Sequence, residues 1–281
     1  MLVALASCAP LAAAASLERR QFMQAAAGCG AAATTAAATR PATASGILLL
    51  PPTKPLMNRY WLMRAGENVK EAEGVIETNA AWKYSFANGL TDRGKEQAQA
   101  AAEVIGQGVD APVVRYATAR HCKQTADAVG ARLGRATRLM PESSLLDARG
   151  YGAHEGQRLS SVPELWATYD ARSRYARPPE AEDGAYAESV EDVFVRVREF
   201  LSVCETTLCD DVVVIAPGSD ILSIIEAALR GRKLTSHYDL AYEPGEVRYV
   251  GDLGDATRGP PPRPDADAAA RVRAARRSVP G

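Results

Sequence analysis

Short apolar runs alternate with amphipathic segments along the middle of the chain. Residues 60–63 and 113–116 are runs of strand length that are rich in apolar, aromatic or β-branched residues. Residues 212–215 read VVVI with no polar position, as expected for a strand buried on both faces of a sheet. Residues 246–250 form a fourth run. The pattern therefore predicts four strands separated by other segments.

Segments with helical periodicity follow each of the first three runs, and a further one lies between the second run and the third. Thr91 opens a predicted helix that continues through Val104, and Ser189 caps a predicted helix that ends near Val203. Two further helices are predicted over residues 123–133 and 221–229. This alternation predicts an α/β fold, a three-layer α/β/α sandwich with a mostly parallel central sheet.

Ligands of such sheets bind in the crevice at the carboxyl ends of the strands. The loops that follow Met63, Tyr116 and Ile215 are therefore predicted to carry any site. Ser219 and Asp220 stand just before the last predicted helix, and we interpret them as its N-terminal cap. The alternative is that they line a polar pocket.

Both ends of the chain are biased in composition, which places the folded domain at residues 56–253. Residues 1–45 hold 18 alanines and a single acidic residue. Residues 254–281 include six arginines and the run GPPPRP, and we predict that this tail is disordered. The whole chain has 33 basic and 34 acidic residues, which gives no indication of nucleic-acid binding.

The first 45 residues resemble a targeting leader. Arg19 and Arg20 precede Phe22, a weakly apolar alanine-rich run and a small-x-small pattern at residues 42–44, in the order of a twin-arginine export signal. An ordinary alanine-rich leader is the alternative. The run is too rich in alanine and threonine for a membrane span, so we predict no transmembrane helix. Such a signal directs export to the thylakoid lumen of a chloroplast or, alternatively, to a bacterial periplasm.

Two cysteines, Cys204 and Cys209, are close in the sequence. They would form a local bridge in an oxidising compartment, or remain two free thiols, and their spacing does not decide between these alternatives.

Several motifs occur in the order that is typical of one enzyme family. They are LMRAGE, GLTDRGKEQA, RHCKQTADAVG, LLDARGYGAHEG, AESVEDVFVRVREFL and VVVIAPGSD. Together they resemble the histidine phosphatase, or phosphoglycerate mutase-like, superfamily, and in particular a plastid branch with Arg-Ala-Gly in the first motif. The resemblance implies a phosphoglycerate mutase-like fold. It implies no metal and no cofactor.

The chemistry of that family needs a histidine nucleophile, and the resemblance places Ala65 at that position. Arg64 matches a phosphate-binding arginine, whereas His121 falls where a second arginine belongs and Pro217 where a second catalytic histidine belongs. Arg120, one residue away, is an alternative phosphate ligand. The resemblance also implies that Asp147 or Glu155 stands at the position of the catalytic acid. Cys122 is considered as a replacement nucleophile, although a lone cysteine is usually a core residue.

The altered positions predict a pseudoenzyme that acts as a binding or scaffold protein in the thylakoid lumen. Loss of a nucleophile removes orders of magnitude of rate, and here a second catalytic group is also missing. We expect a protein partner, or a phosphorylated small molecule bound by Arg64 and Arg120. The alternatives are a residual phosphohydrolase or phosphomutase with another nucleophile, and an assembly factor or subunit of a photosynthetic membrane complex.

Overall fold

A five-stranded mixed sheet lies at the centre of the folded region. The structure is a computed structural model that describes residues 47–109, 111–134, 136–182, 184–208 and 211–250. The strands are β1 (Arg59–Arg64), β2 (Val113–Ala117), β3 (Arg138–Glu142), β4 (Asp211–Ala216) and β5 (Val247–Tyr249). Their order across the sheet is β3-β2-β4-β1-β5; the first four run parallel, and β5 pairs antiparallel with β1. The prediction of a mostly parallel sheet is confirmed.

Helices flank this sheet and complete the α/β/α sandwich. Four of them are short or border the cleft described below: α1 (Val69–Ala72), α3 (Arg120–Leu133), α4 (Val162–Leu165, followed by a π-helical turn Trp166–Asp170) and α6 (Ser219–Leu229). Two longer helices, α2 (Asp92–Gly106) and α5 (Val190–Thr207), pack against α3 and α6 respectively. Single turns of 3-10 helix lie at Ala80–Trp82, Gly152–His154 and Leu159–Ser161, and a longer one at Leu234–Leu240.

The predicted helix starts are confirmed where a side chain caps the helix. The hydroxyl of Thr91 accepts a hydrogen bond from Gly94 N at 2.9 Å, and Ser189 forms a capping box with Asp192. The start of α3 at Arg120 lies three residues earlier than predicted. It has no side-chain cap, so the sequence offered no signal for this boundary.

Strand β3 was missed because its sequence, RLMPE, contains a proline and faces solvent over much of its length. It pairs with β2 at one edge of the sheet, and a proline is tolerated at such an edge. Helix α4 and its π-helical extension were missed as well. Within the described residues, no helix combines the length and apolarity needed to cross a bilayer.

The main hydrophobic core fills the space between the sheet and its helices. All six residues of β4 are buried, which confirms the prediction of a buried strand from the apolar run at residues 212–215. A second, smaller cluster contains Ile76, Tyr151 and Leu165 and lies beside the carboxyl end of the sheet. That cluster supports the loops that surround the cleft.

Candidate functional site

A cleft lies at the carboxyl ends of β1 and β4, where the sheet topology predicted a site. It has a cavity of about 270 Å³ and an adjoining recess of about 30 Å³. The cavity and the recess share five lining residues: Glu77, Thr78, His121, Ala148 and Pro217. We call the two spaces together the cleft.

The two positions that would carry catalytic histidines lie next to each other in the sheet. Arg64 and Ala216 are register partners at the ends of β1 and β4, and Ala65 N donates to Ala216 O at 3.0 Å. Ala65 is 1% exposed, and Pro217 lines both parts of the cleft. A methyl group and a pyrrolidine ring offer neither a nucleophile nor a proton donor at these strand ends.

Arg64 reaches into the cleft, but its positive charge is already paired. Its Nη2 lies 2.5 Å from Glu71 Oε1, and its Nη1 donates to Tyr242 O at 2.6 Å. Glu71 is held in place because it forms a capping box with Asn68 at the start of α1. The carboxylate of Glu71 therefore occupies the guanidinium that would otherwise bind a phosphoryl oxygen.

His121 is buried at the border between the cavity and the recess. Burial, assisted by the nearby Arg64, lowers the pKa of His121 to about 4, although Glu71 and the backbone carbonyl of Asn88 oppose the shift. The ring is consequently neutral at pH 7. A neutral imidazole does not supply the charge or the bidentate fork of an arginine at a phosphate site.

Of three other predicted site residues, only Asp147 lines the cleft. Asp147 lines the recess, where it pairs with Lys83 at 2.8 Å, and burial raises the pKa of its carboxyl. Glu155 does not line the cleft; it accepts hydrogen bonds from the backbone and hydroxyl of Thr78, which does. Arg120 lies outside the lining, with its guanidinium 4.6 Å from the ring centre of Phe86.

A buried ion cluster forms one wall of the cavity. Arg149, 2% exposed, donates to both oxygens of Asp170 at 2.6 and 2.7 Å and to Asp220 at 3.1 Å. His237 lies 3.1 Å from Asp170 through Nε2 and 2.8 Å from the hydroxyl of Ser223 through Nδ1. Burial by itself would raise the pKa of Asp170, but the hydrogen bonds from Arg149 and His237 outweigh it and lower this pKa.

Asp220 is not a helix cap, and this corrects the interpretation from the sequence. The N-cap of α6 is Gly218, without a side-chain hydrogen bond. Asp220 instead accepts hydrogen bonds from Tyr151 at 2.7 Å and from the indole of Trp166 at 3.1 Å, in addition to Arg149. Because three side-chain donors converge on it, its carboxylate faces the cavity wall and not the backbone of its own helix. The alternative of a polar pocket is therefore correct for Asp220.

The carboxylates of this wall could also be considered as metal ligands. Ligand atoms of Asp170, Asp220 and His237 lie within 4.8 Å of one another. The guanidinium of Arg149 binds both carboxylates, however, so its positive charge already fills the role of a cation there. We therefore interpret these residues as an internally paired structural cluster.

Cys122 is unsuited to act as a nucleophile. Its side chain is fully buried in α3, and burial raises the pKa of its thiol well above the ordinary value. Cys204 is likewise a buried free thiol, whereas Cys209 lies outside the described residues. His154 contacts Gln157 and the ring of Tyr169 and does not line the cleft.

Residues 60–252 match the family model described as "Histidine phosphatase superfamily (branch 1)". This match covers more than half of the chain and spans the strand ends, the cleft and the buried cluster. The chain belongs to the histidine phosphatase superfamily. A comparison with curated protein sequences finds no match.

Solved structures of histidine phosphatase type resemble the fold of this superfamily member. A putative α-ribazole-5′-phosphate phosphatase from Escherichia coli has a TM-score of 0.53 at 19% identity, over 69% of this chain and 91% of the other. The product of an open reading frame of Mycobacterium tuberculosis has a TM-score of 0.52 at 21% identity, over 68% and 89%. A mycobacterial glucosyl-3-phosphoglycerate phosphatase complexed with VO3 has a TM-score of 0.52 at 19% identity, over 67% and 90%. At these identities the comparisons support the fold alone.

Sequence reasoning missed several residues of this histidine phosphatase cleft. Glu71 and Glu77 were not considered, and Arg149 stood inside a quoted motif without an assigned role. The spacing of Asn68 and Glu71 is a capping-box signature that would have predicted α1 and placed Glu71 seven residues after Arg64. No local pattern indicates the long-range partners of Arg149, because Asp170 and Asp220 lie 21 and 71 residues away in the chain.

Proposed function

We propose that this histidine phosphatase superfamily member is a pseudoenzyme that acts as a binding protein. The observation that carries the proposal is the pair Ala65 and Pro217 at adjacent strand ends, which leaves the cleft without a nucleophile or a proton donor at either position. The pairing of Arg64 with Glu71 supports the same conclusion, because phosphoryl transfer depends on cations that stabilise the transferred group.

The proposal is tested by assaying the full chain against p-nitrophenyl phosphate beside an Arg64→Ala variant. We expect the two proteins to release the same trace of product, since neither has a nucleophile in the cleft. Turnover by the wild type that Arg64→Ala abolishes would show that the cleft hydrolyses phosphomonoesters, and the pseudoenzyme proposal would then be wrong.

We propose further that a protein partner docks beside the cleft. Three aromatic side chains in a short segment at its rim support this: Trp82, Tyr84 and Phe86 are 59%, 61% and 85% exposed. Aromatic residues and arginine are enriched at the centres of protein interfaces. Arg120, from the start of α3, stacks on Phe86 of this segment. Trp82 also lines the recess, so a partner at this surface would contact the cleft.

Co-purification of the tagged protein from its own compartment tests this surface. We expect a partner that is retained by the wild type and lost by a Trp82→Ala, Phe86→Ala double variant. Tyr175→Ala is the matched control, because Tyr175 is equally exposed, at 68%, but lies outside this segment. Migration of the wild type alone at monomer size in mild extracts would contradict the proposal.

The compartment we propose is the thylakoid lumen, reached through a twin-arginine signal, with a bacterial periplasm as the alternative. The order of Arg19, Arg20, the alanine-rich run and the small-x-small pattern supports it. In isolated chloroplasts, import of the full chain should yield a shortened lumenal protein, and changing Arg19 and Arg20 to lysine should stop that step. In that compartment an assembly role for a photosynthetic membrane complex would account for a protein partner.

A further inference from the structure

The charged side chains that line the cleft are paired in all but one case among the described residues. The pairs lie within 3.1 Å and leave no lining cation without a carboxylate; they are Arg64 with Glu71, Lys70 with Glu73, Lys83 with Asp147, and Arg149 with Asp220 and Asp170. An anionic ligand would have to displace one of these carboxylates. The cleft is therefore poorly suited to phosphate, even though its fold is that of a phosphatase.

Among the carboxylates that line the cleft, Glu77 is the one for which the described residues form no salt bridge. It lines both the cavity and the recess, and its side chain accepts a hydrogen bond from Asn88 Nδ2 at 2.5 Å. Burial raises the pKa of Glu77; the nearby Lys70 and the hydrogen bond from Asn88 oppose this shift without cancelling it. A ligand cation in contact with Glu77 would complete the compensation that Lys70 provides only in part.

His121 presents a second acceptor to the same place. It is 6% exposed and lines both parts of the cleft, and its Nε2 has no hydrogen-bond partner among the described residues. The backbone carbonyl of Asn88 interacts with the ring, and since Nε2 has no partner, this interaction favours a proton on Nδ1 and a lone pair on Nε2. An unpartnered buried acceptor is costly, so a ligand N–H at this position would be favourable.

The rest of the cavity is largely apolar. Ile76, Leu159, Val162 and Trp166 contribute apolar surface to the cavity, and Trp166 is held in place by stacking on Tyr238 with 5.9 Å between ring centres. A short hydrocarbon chain would find apolar contacts there while its polar end reached Glu77 and His121.

We propose that the cleft binds a small organic amine, whose ammonium group is held by the carboxylate of Glu77 and by Nε2 of His121 and whose apolar part packs on the wall of the cavity. The inference deepens the proposed function, on which it rests, because a working phosphatase cleft would have to accept an anion. It replaces the phosphorylated ligand suggested by the sequence with one of opposite charge.

The test is a titration of the isotope-labelled full chain with n-butylamine, followed by two-dimensional ¹⁵N–¹H NMR. Butyrate and inorganic phosphate are titrated in parallel, since butyrate has the same chain length and the opposite charge. We expect saturable shifts at cleft residues with the amine alone. Glu77→Gln should weaken amine binding about tenfold or more, because it removes a charge-assisted hydrogen bond.

Two further variants keep the result interpretable. Asp127→Asn removes one carboxylate from the exposed face of α3 and has the same net charge as Glu77→Gln, so it should leave the amine affinity unchanged. His121→Phe removes the second acceptor without adding charge and should also weaken binding.

The inference is overturned if butyrate or phosphate binds in the cleft as tightly as the amine, if the amine gives no saturable shifts, or if Glu77→Gln and Asp127→Asn have the same affinity. These failures are distinct from failure of the proposed function. Hydrolysis of p-nitrophenyl phosphate that depends on Arg64 would refute the pseudoenzyme, whereas an inert protein that ignores the amine would refute the ligand class alone.

Discussion

Arg149 shows how completely single charges are compensated around this cleft. It is buried on a wall of the cavity and donates to two carboxylates and to the backbone of Glu188. A buried ion pair adds little net stability compared with apolar residues, but the loss of one partner leaves the other charge buried and alone. Asp170 and Asp220 are therefore dependent on Arg149.

Replacing Arg149 should consequently cost much more than replacing an exposed arginine. We expect Arg149→Met to lower the free energy of unfolding by about 3–5 kcal/mol, because two buried carboxylates lose their cation. Arg132→Met is the control, since Arg132 pairs with Glu103 at the surface, and it should cause no measurable loss. Urea unfolding of the three proteins measures the difference, and equal midpoints for both variants would refute the structural role of the cluster.

His121 makes stability depend on pH in a defined direction. Its pKa falls from 6.5 in the unfolded chain to about 4 in the folded protein, so the unfolded state binds more protons between these values. The stability that depends on a neutral His121 is fully present above pH 6.5 and is lost as the pH falls towards 4. At about 1.4 kcal/mol per pKa unit, the loss amounts to about 3 kcal/mol.

The measurement is the difference in unfolding free energy between pH 7 and pH 4.5. We expect His121→Gln to lose less stability over this interval than the wild type, because it has no group to protonate there. His154→Gln, which changes a histidine outside the cleft, should keep the wild-type dependence. A wild-type slope in His121→Gln would show that His121 is not the residue responsible.

Glu71 makes the electrostatics of the cleft testable with one substitution. Glu71→Gln retains a side chain that can form the capping box but removes the charge that occupies Arg64. We expect the variant to bind inorganic phosphate at the cleft in calorimetric titrations, while the wild type does not. Asp127→Asn is the control, because Asp127 pairs with Lys123 on the exposed face of α3, away from the cleft lining, and it should behave as the wild type. Phosphate binding by all three proteins would contradict this account.

The loop after β1 is fixed by close contact between backbones. A Cβ atom added to Gly94, in the first turn of α2, would lie 2.1 Å from Glu67 O, and one added to Gly66 would lie 2.2 Å from Gly94 O. The first turn of α2 therefore packs directly on the segment that carries Ala65. This contact explains why both positions require glycine.

Gly94→Ala should thus destabilise the protein by about 1–3 kcal/mol, since a rigid backbone has to shift to admit the methyl group. Gly218→Ala is the control, because no atom lies within 4 Å of the added Cβ. Thermal unfolding monitored by circular dichroism compares the two. An equal change in both variants would indicate that the contact between α2 and the loop is adjustable.

The sheet and its long helices could be predicted from the sequence because their signals are local. The buried run of β4 and the caps at Thr91 and Ser189 each depend on neighbouring residues alone. Strand β3 could not be predicted in this way, since it is exposed, contains Pro141 and is a strand only because β2 lies beside it. The positions of the site were predictable for Arg64, Ala65 and Pro217, which follow directly from strand ends. The paired charges were not, because they depend on which distant carboxylate meets which arginine.

At the scale of the molecule, the described residues form one large core and a smaller apolar cluster near the cleft. Ile76, Tyr151 and Leu165 form that smaller cluster, and the segments that contribute to it contain little regular secondary structure. Regions with few buried apolar contacts open more easily than a central sheet. The two sides of the cleft are therefore expected to differ in local stability.

Hydrogen exchange followed by mass spectrometry tests this expectation on the full chain. We expect peptides covering residues 74–88 and 151–170 to exchange before those covering β1 and β4. An amine ligand should slow exchange in the peptides covering residues 74–88 and 151–170, because these contain Glu77 and Trp166 of the cleft lining. Uniform exchange across these peptides would show that the cleft opens only when the whole protein unfolds.

The salt bridge between Arg64 and Glu71 also has a consequence for the history of the chain. After Ala65→His, the new imidazole would still adjoin a guanidinium that Glu71 holds, with His121 of α3 and Pro217 in the cleft lining. In the pseudoenzyme that we propose, this single substitution would therefore confer no phosphatase activity. Selection for that activity would then favour no single change at position 65, and the missing nucleophile would persist.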